Sequence, residues 1–73
     1  ILLYHPCADP HVDDPLGGAL TTEQMKERDE IVFRFAKEQK IPVVWCLAGG
    51  YQPDLKKVLA LHEQTYNAWL RNL

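Results

Sequence analysis

Three aspartates and a histidine crowd one stretch of the chain, Cys7 to Gly18, which reads CADPHVDDPLGG. Carboxylates are hard oxygen donors and imidazole is a nitrogen donor, so a divalent cation is one reading of Asp9, His11, Asp13 and Asp14. Asp9-Pro10-His11 is even spelled as an Asp-x-His ligand pair. The other reading is structural, because aspartates beside proline and glycine are turn formers, and Pro10 and Pro15 stiffen the same stretch. On the residues alone both readings stand. A second stretch, Leu47 to Tyr51 (LAGGY), offers different chemistry. Gly49 and Gly50 let backbone come close, and Tyr51 carries a hydroxyl able to donate to whatever the carboxylates hold.

Each stretch follows a short apolar run, so each reads as a loop leaving the carboxyl end of a strand, where open α/β sheets place their ligands. Ile1 to His5 is the first expected strand, ended by Pro6, which cannot donate to a ladder. Val43 to Leu47 is the second, apolar throughout as a strand buried on both faces would be. Between them Thr21 and Gln24 spell a capping box, and Glu23 sits where the helix dipole favours negative charge. The spacing predicts a helix from Thr22 to about Gln39, with Met25, Val32, Phe35 and Ala36 inward and Glu30 paired with Arg34 outward. Ile31 and Phe33 widen that apolar stripe. Pro53 and Asp54 open a second helix, whose inward face reads Leu55, Val58, Leu59, His62, Tyr66, Trp69, Leu70 and Leu73. His62 is expected to be a hydrogen-bonded core residue, and Tyr66 and Trp69 to anchor a neighbouring layer.

A strand, crossover helix and second strand in one sheet give parallel strands with a right-handed connection. If the two strands are neighbours, both loops leave one edge and Asp9 and Tyr51 face a common site. Two parallel strands leave faces and edges uncovered, so further strands are expected from an upstream part or from another copy of the chain, which makes a homo-oligomer the expectation for these residues by themselves.

With 73 residues the chain is one domain at most, and the mid-strand character of Ile1 to Tyr4 leads us to read residues 1–73 as a single partial domain from the tail of a longer protein. The net charge of -2 is dispersed and lacks the basic stripe that phosphate-backbone binding needs, so nucleic acid is not an expected partner. No apolar run approaches the roughly 18 residues of a membrane span. Cys7 and Cys46 are too few for a disulfide framework and read as reduced thiols of a cytoplasmic protein, with an adventitious disulfide open if the strands adjoin.

The two loops together resemble the carboxyl-terminal part of the zinc-dependent histone deacetylase family, which includes acetoin-utilisation and acetylpolyamine amidohydrolase relatives. The resemblance rests on Ala8-Asp9, on Asp14-Pro15-Leu16-Gly17-Gly18 and on Gly49-Gly50-Tyr51, and it extends over nearly the whole chain. The run RDEIVF from Arg28 to Phe33, with Gln52 after the tyrosine, looks most like the class IV and bacterial branch. It implies a β-α-β-α piece of a three-layer α/β/α parallel-sheet fold, and a parent enzyme that hydrolyses the amide of an acetylated lysine, polyamine or related amine. By the same resemblance Asp9 would be a ligand to a catalytic Zn2+, Tyr51 the catalytic donor to the substrate carbonyl, and Gly49 and Gly50 the backbone that shapes the substrate's approach. Asp14 would hold its loop, and His11 would sit at the site rim without being a ligand. Cys7 and Asp13 stand where many members have glycine. The other zinc ligands and the histidine pair of the family are absent from these residues, so the 73 residues are expected to bind zinc weakly or not at all and to be inactive by themselves. A non-catalytic, self-associating α/β piece is the alternative.

Overall fold

In the computed structural model, which describes residues 1–73, the order is β1 (Leu2–Tyr4), α1 (Thr22–Glu38), β2 (Val43–Trp45) and α2 (Leu55–Arg71). β1 and β2 pair in parallel with Leu2 opposite Val43 and Tyr4 opposite Trp45. The expected β-α-β-α arrangement is therefore present. Past the strand ends, a further parallel bridge joins Cys7 to Ala48, so the two loops start side by side.

Local chemistry sets the helix limits. At the start of α1 the Thr21 amide donates to Gln24 Oε1 at 2.9 Å and the Gln24 amide to Thr21 Oγ1 at 3.1 Å, which satisfies two of the amides a helix start leaves free. At its end Lys40 takes a left-handed φ of 56° and lets the Ile41 amide reach back to the Ala36 carbonyl at 2.9 Å. Pro42 then forbids further helix. Asp54 caps α2 by accepting from the Lys56 amide at 3.0 Å.

The buried faces differ from the sequence expectation in both helices. α1 buries Met25, Asp29, Phe33 and Ala36, while Phe35 is half exposed. Glu30 bonds Arg71 and Asn72 at the end of α2 and not Arg34. α2 buries Val58, Leu61, Thr65 and Ala68, leaving Leu55 and Leu59 largely in solvent. In α1 the expected Met25 and Ala36 do face inward, with Phe33 in place of Phe35, while the face of α2 is turned by about one residue; the helices pack on each other through a buried polar contact, Thr65 on Asp29, as well as on the sheet.

Both helices lie on the same side of the sheet. Phe33 stacks edge-on against Tyr4 and Trp45, with ring centroids 5.4 and 5.9 Å apart, and Trp69 closes on Trp45 at 5.8 Å. Trp69 and Tyr66 thus anchor α2 to the sheet. On the other side Leu3 is 75% and Val44 54% exposed, so β2 is covered on one face where its sequence led us to expect two. Under the loops a small core gathers Ala8, Met25, Val58 and Leu61, with Leu20 against it. No helix is long and apolar enough to cross a membrane.

Candidate active site

The two loops meet because their roots are paired. The Ala8 amide donates to the Ala48 carbonyl at 3.0 Å, extending the ladder by one step and placing Asp9 against the glycines that follow Ala48. Gly49, with a φ of 67°, lies so close to the Asp9 carboxylate that a β-carbon there would overlap Oδ1. Gly50, with a φ of 103°, leaves no room for a side chain between Ala8 and Val58. On the other flank a β-carbon at Gly17 would overlap the Asp9 carbonyl. Gly17 and Gly49 therefore enclose Asp9 by close approach, and Gly49 and Gly50 in addition supply the positive φ of the second loop.

Asp14 ties the loops together. It is only 5% exposed, and its Oδ1 accepts from the Leu16 amide at 2.8 Å while its Oδ2 accepts from the Tyr51 amide at 2.7 Å. One carboxylate thus closes the turn of its own loop and pins the backbone of the other. Tyr51 is 56% exposed, so its main chain is held while its phenol projects into solvent. From α2, His62 Nε2 donates to the Gly49 carbonyl at 3.2 Å, which makes His62 a brace of the second loop.

His11 is buried and fully engaged. Its Nδ1 accepts the Asp13 amide at 3.1 Å, so the proton resides on Nε2, which donates to Thr22 Oγ1 at 2.8 Å. Neither nitrogen is left to hold a cation in this arrangement. The Asp13 carboxylate stands 3.9 Å from the same ring and is exposed. A shallow cleft of about 330 Å³ borders His11, Asp13 and Gln52, away from Asp9 and Tyr51. Gln52 Nε2 is buried there without a hydrogen-bond partner.

Cys7 is partly buried, with Sγ 3.3 Å from His5 Nδ1. Burial, and then the negative charge of Asp9, push its thiol above the ordinary range. Cys7 and Cys46 are both free thiols.

One cluster escaped the sequence reading. Asp29, with no exposed surface, accepts from the Tyr4 hydroxyl at 2.5 Å, the Thr65 hydroxyl at 2.6 Å and Arg28 Nε at 3.0 Å. Burial and the neighbouring Asp29 carboxylate push the Tyr4 phenol well above its ordinary value. Arg28 also donates through Nη1 to the Cys7 carbonyl at 2.8 Å, at the root of the first loop. The available signal was positional: Asp29 lies four residues after Met25 and four before Phe33, on the buried stripe.

No family model matches the chain, and no solved structure matches it significantly. Among curated proteins, histone deacetylase 2 of Arabidopsis thaliana is 38% identical over 61 residues, which cover 82% of this chain and 16% of that relative. The chain thus spans about one sixth of the length of the relative it matches. The aligned identity supports a histone deacetylase-like relationship for this chain.

Proposed function

We propose that the chain is the carboxyl-terminal part of a zinc-dependent amidohydrolase acting on an acetylated amine such as acetyl-lysine or an acetylpolyamine, in the cytoplasm. The observation that carries this reading is the Asp9 carboxylate seated on Gly49, two residues from a tyrosine whose backbone is fixed and whose phenol is free. The run RDEIVF and the Gln52 that follows Tyr51 favour the class IV and bacterial branch of the deacetylases.

The residues fit part of a zinc site. Asp9 offers a hard oxygen donor, but nowhere do three His, Cys, Asp or Glu side chains gather into a cage, so the remaining ligands come from outside these residues. When bound, zinc supplies Lewis-acid polarisation of the amide carbonyl and lowers the pKa of water for attack. Tyr51 donates its hydroxyl to the carbonyl oxygen as negative charge develops on it. Asp14 keeps Tyr51 in place through the main chain and leaves the phenol free to swing onto substrate. Gly49 and Gly50 let the second loop close onto Asp9, Ala8 and Val58, and their main chain borders the amide's approach.

In the full-length enzyme Asp9→Ala lowers zinc content and activity together, whereas Tyr51→Phe retains zinc and loses about 10²–10³-fold in turnover, with little change in substrate binding. Full turnover by Tyr51→Phe, or undiminished zinc in Asp9→Ala, would remove those roles.

A second reading applies to the 73 residues by themselves. Leu3 and Val44 leave one sheet side apolar and open, and this reading uses that side for self-association. Sedimentation equilibrium then gives a dimer or larger species, and a compact monomer at all concentrations overturns it.

A further inference from the structure

We propose that Arg28 is a positioning residue for Asp9: anchored on the buried Asp29, its guanidinium holds the Cys7 carbonyl and so sets the direction in which the Asp9 carboxylate is presented. This rests on the zinc reading given above. The anchor is rigid because Asp29 takes hydrogen bonds from Tyr4 of β1, Arg28 of α1 and Thr65 of α2, so three elements fix one carboxylate. With Nε and Nη2 both 3.0 Å from Asp29 Oδ1, the planar fork of Arg28 cannot rotate, and its remaining arm, Nη1, has one direction in which to donate. That direction ends on the Cys7 carbonyl at 2.8 Å.

The neighbouring contacts show what this bond accomplishes. One residue on, the Ala8 amide is fixed by Ala48, and two residues on, the Asp9 carboxylate lies against Gly49. The main chain from Cys7 to Asp9 is thereby held at its carbonyl by α1, at its amide by the second loop, and at its carboxylate by a glycine. Of the bonds made by the Asp29 cluster to groups outside it and its own helices, the Arg28 bond is the one that leaves for a loop. The hydroxyls of Tyr4 and Thr65 satisfy Asp29 without touching the first loop. Outer-shell partners of this kind typically alter metal affinity or activity by about 10–100-fold when removed.

The test separates positioning from folding. Arg28→Lys keeps a cation beside Asp29 but lacks the fork that reaches Asp29 and Cys7 together. A second variant, Arg28→Gln with Asp29→Asn, removes both charges at once and leaves no buried carboxylate unpaired. Thr65→Val removes a donor to Asp29 and leaves the Cys7 contact alone. In the full-length protein, zinc affinity read by competition with a chelator falls about tenfold or more in Arg28→Lys or in the double variant. Thr65→Val lowers the melting temperature with zinc affinity unchanged. In the 73-residue chain, the Ala8 amide exchanges with solvent faster in Arg28→Lys than in Thr65→Val. Zinc affinity lost equally in Thr65→Val, or kept in both Arg28 variants while Asp9→Ala loses it, would overturn the inference. Zinc affinity kept in Asp9→Ala would instead overturn the reading beneath it, and the Ala8 exchange rates then decide whether Arg28 fixes the loop.

Discussion

Asp14 and Asp29 are the two buried aspartates of this chain, and they differ in what they accept. Asp14 takes main-chain amides from Leu16 and Tyr51, whereas Asp29 takes side-chain donors from Tyr4, Arg28 and Thr65. A carboxylate that accepts amides fixes the path of a loop; one that accepts side chains from three elements fixes how those elements sit on each other. The first acts on the presentation of Tyr51 and the second on the whole packing, with Arg28 relaying some of that order to Asp9. The distinction teaches that a reactive loop tip can stay open to solvent while its main chain is anchored from behind.

The largest effect expected from this comparison is at Asp29. Asp29→Ala leaves a guanidinium and two hydroxyls without their buried partner, and breaking such a pair costs about 3–5 kcal/mol. A chain of this length has about that much net stability from its core. Far-ultraviolet circular dichroism then shows the variant unfolded at room temperature, and a melting temperature equal to the parent's would break the comparison. Asp14→Ala is expected to cost about 1–3 kcal/mol, the penalty for buried amides that lose their acceptor. Urea unfolding followed by tryptophan fluorescence checks the order, and a loss at Asp14 greater than that at Asp29 would invert it.

A smaller effect is set by pH. Because the Tyr4 phenol is raised in the folded chain, its contribution is fully present below its ordinary value near 10 and is lost as the pH climbs from there towards the folded value. Thermal melts show stability falling above about pH 10, and Tyr4→Phe flattens that part of the profile. An unchanged alkaline slope in Tyr4→Phe would place the titration elsewhere. Glu30 has the opposite sign and less weight. Hydrogen bonds from Asn72 and Arg71 hold its carboxyl below the usual range, so its contribution is present above the ordinary glutamate value and fades on acidification. This contact is partly exposed, and added salt weakens it.

Much of the chain could be read before its fold was known, and the exceptions share a cause. The limits of α1 were legible because Thr21 and Gln24 spell their own hydrogen bonds and Pro42 forbids continuation. The parallel pairing followed from a strand, helix and strand in succession. The helix faces were harder. Leu55, Leu59 and Leu70 are apolar and regularly spaced, yet the buried side of α2 runs through Thr65 and Ala68. Besides the Leu61 carbonyl one turn back, the buried Thr65 hydroxyl finds Asp29, a partner 36 residues away in the chain. The open sheet side defeated the reading of β2 for a related reason: an unbroken apolar run tells how much surface wants cover, and not whether this chain supplies it. In the site, the glycines signalled close approach, but that Gly49 abuts Asp9 and that Asp14 bonds the Tyr51 amide became visible only when the two loops were brought together.

That the loops form one braced unit, with a fixed main chain beneath a free phenol, is tested most directly at the Tyr51 amide. Hydrogen exchange followed by NMR on the 73-residue chain is predicted to show this amide protected, despite the exposure of its side chain, with the protection lost in Asp14→Ala while amides in the middle of α1 keep theirs. A Tyr51 amide that exchanges in the parent chain as fast as an open peptide, or that stays protected without the Asp14 carboxylate, would contradict it.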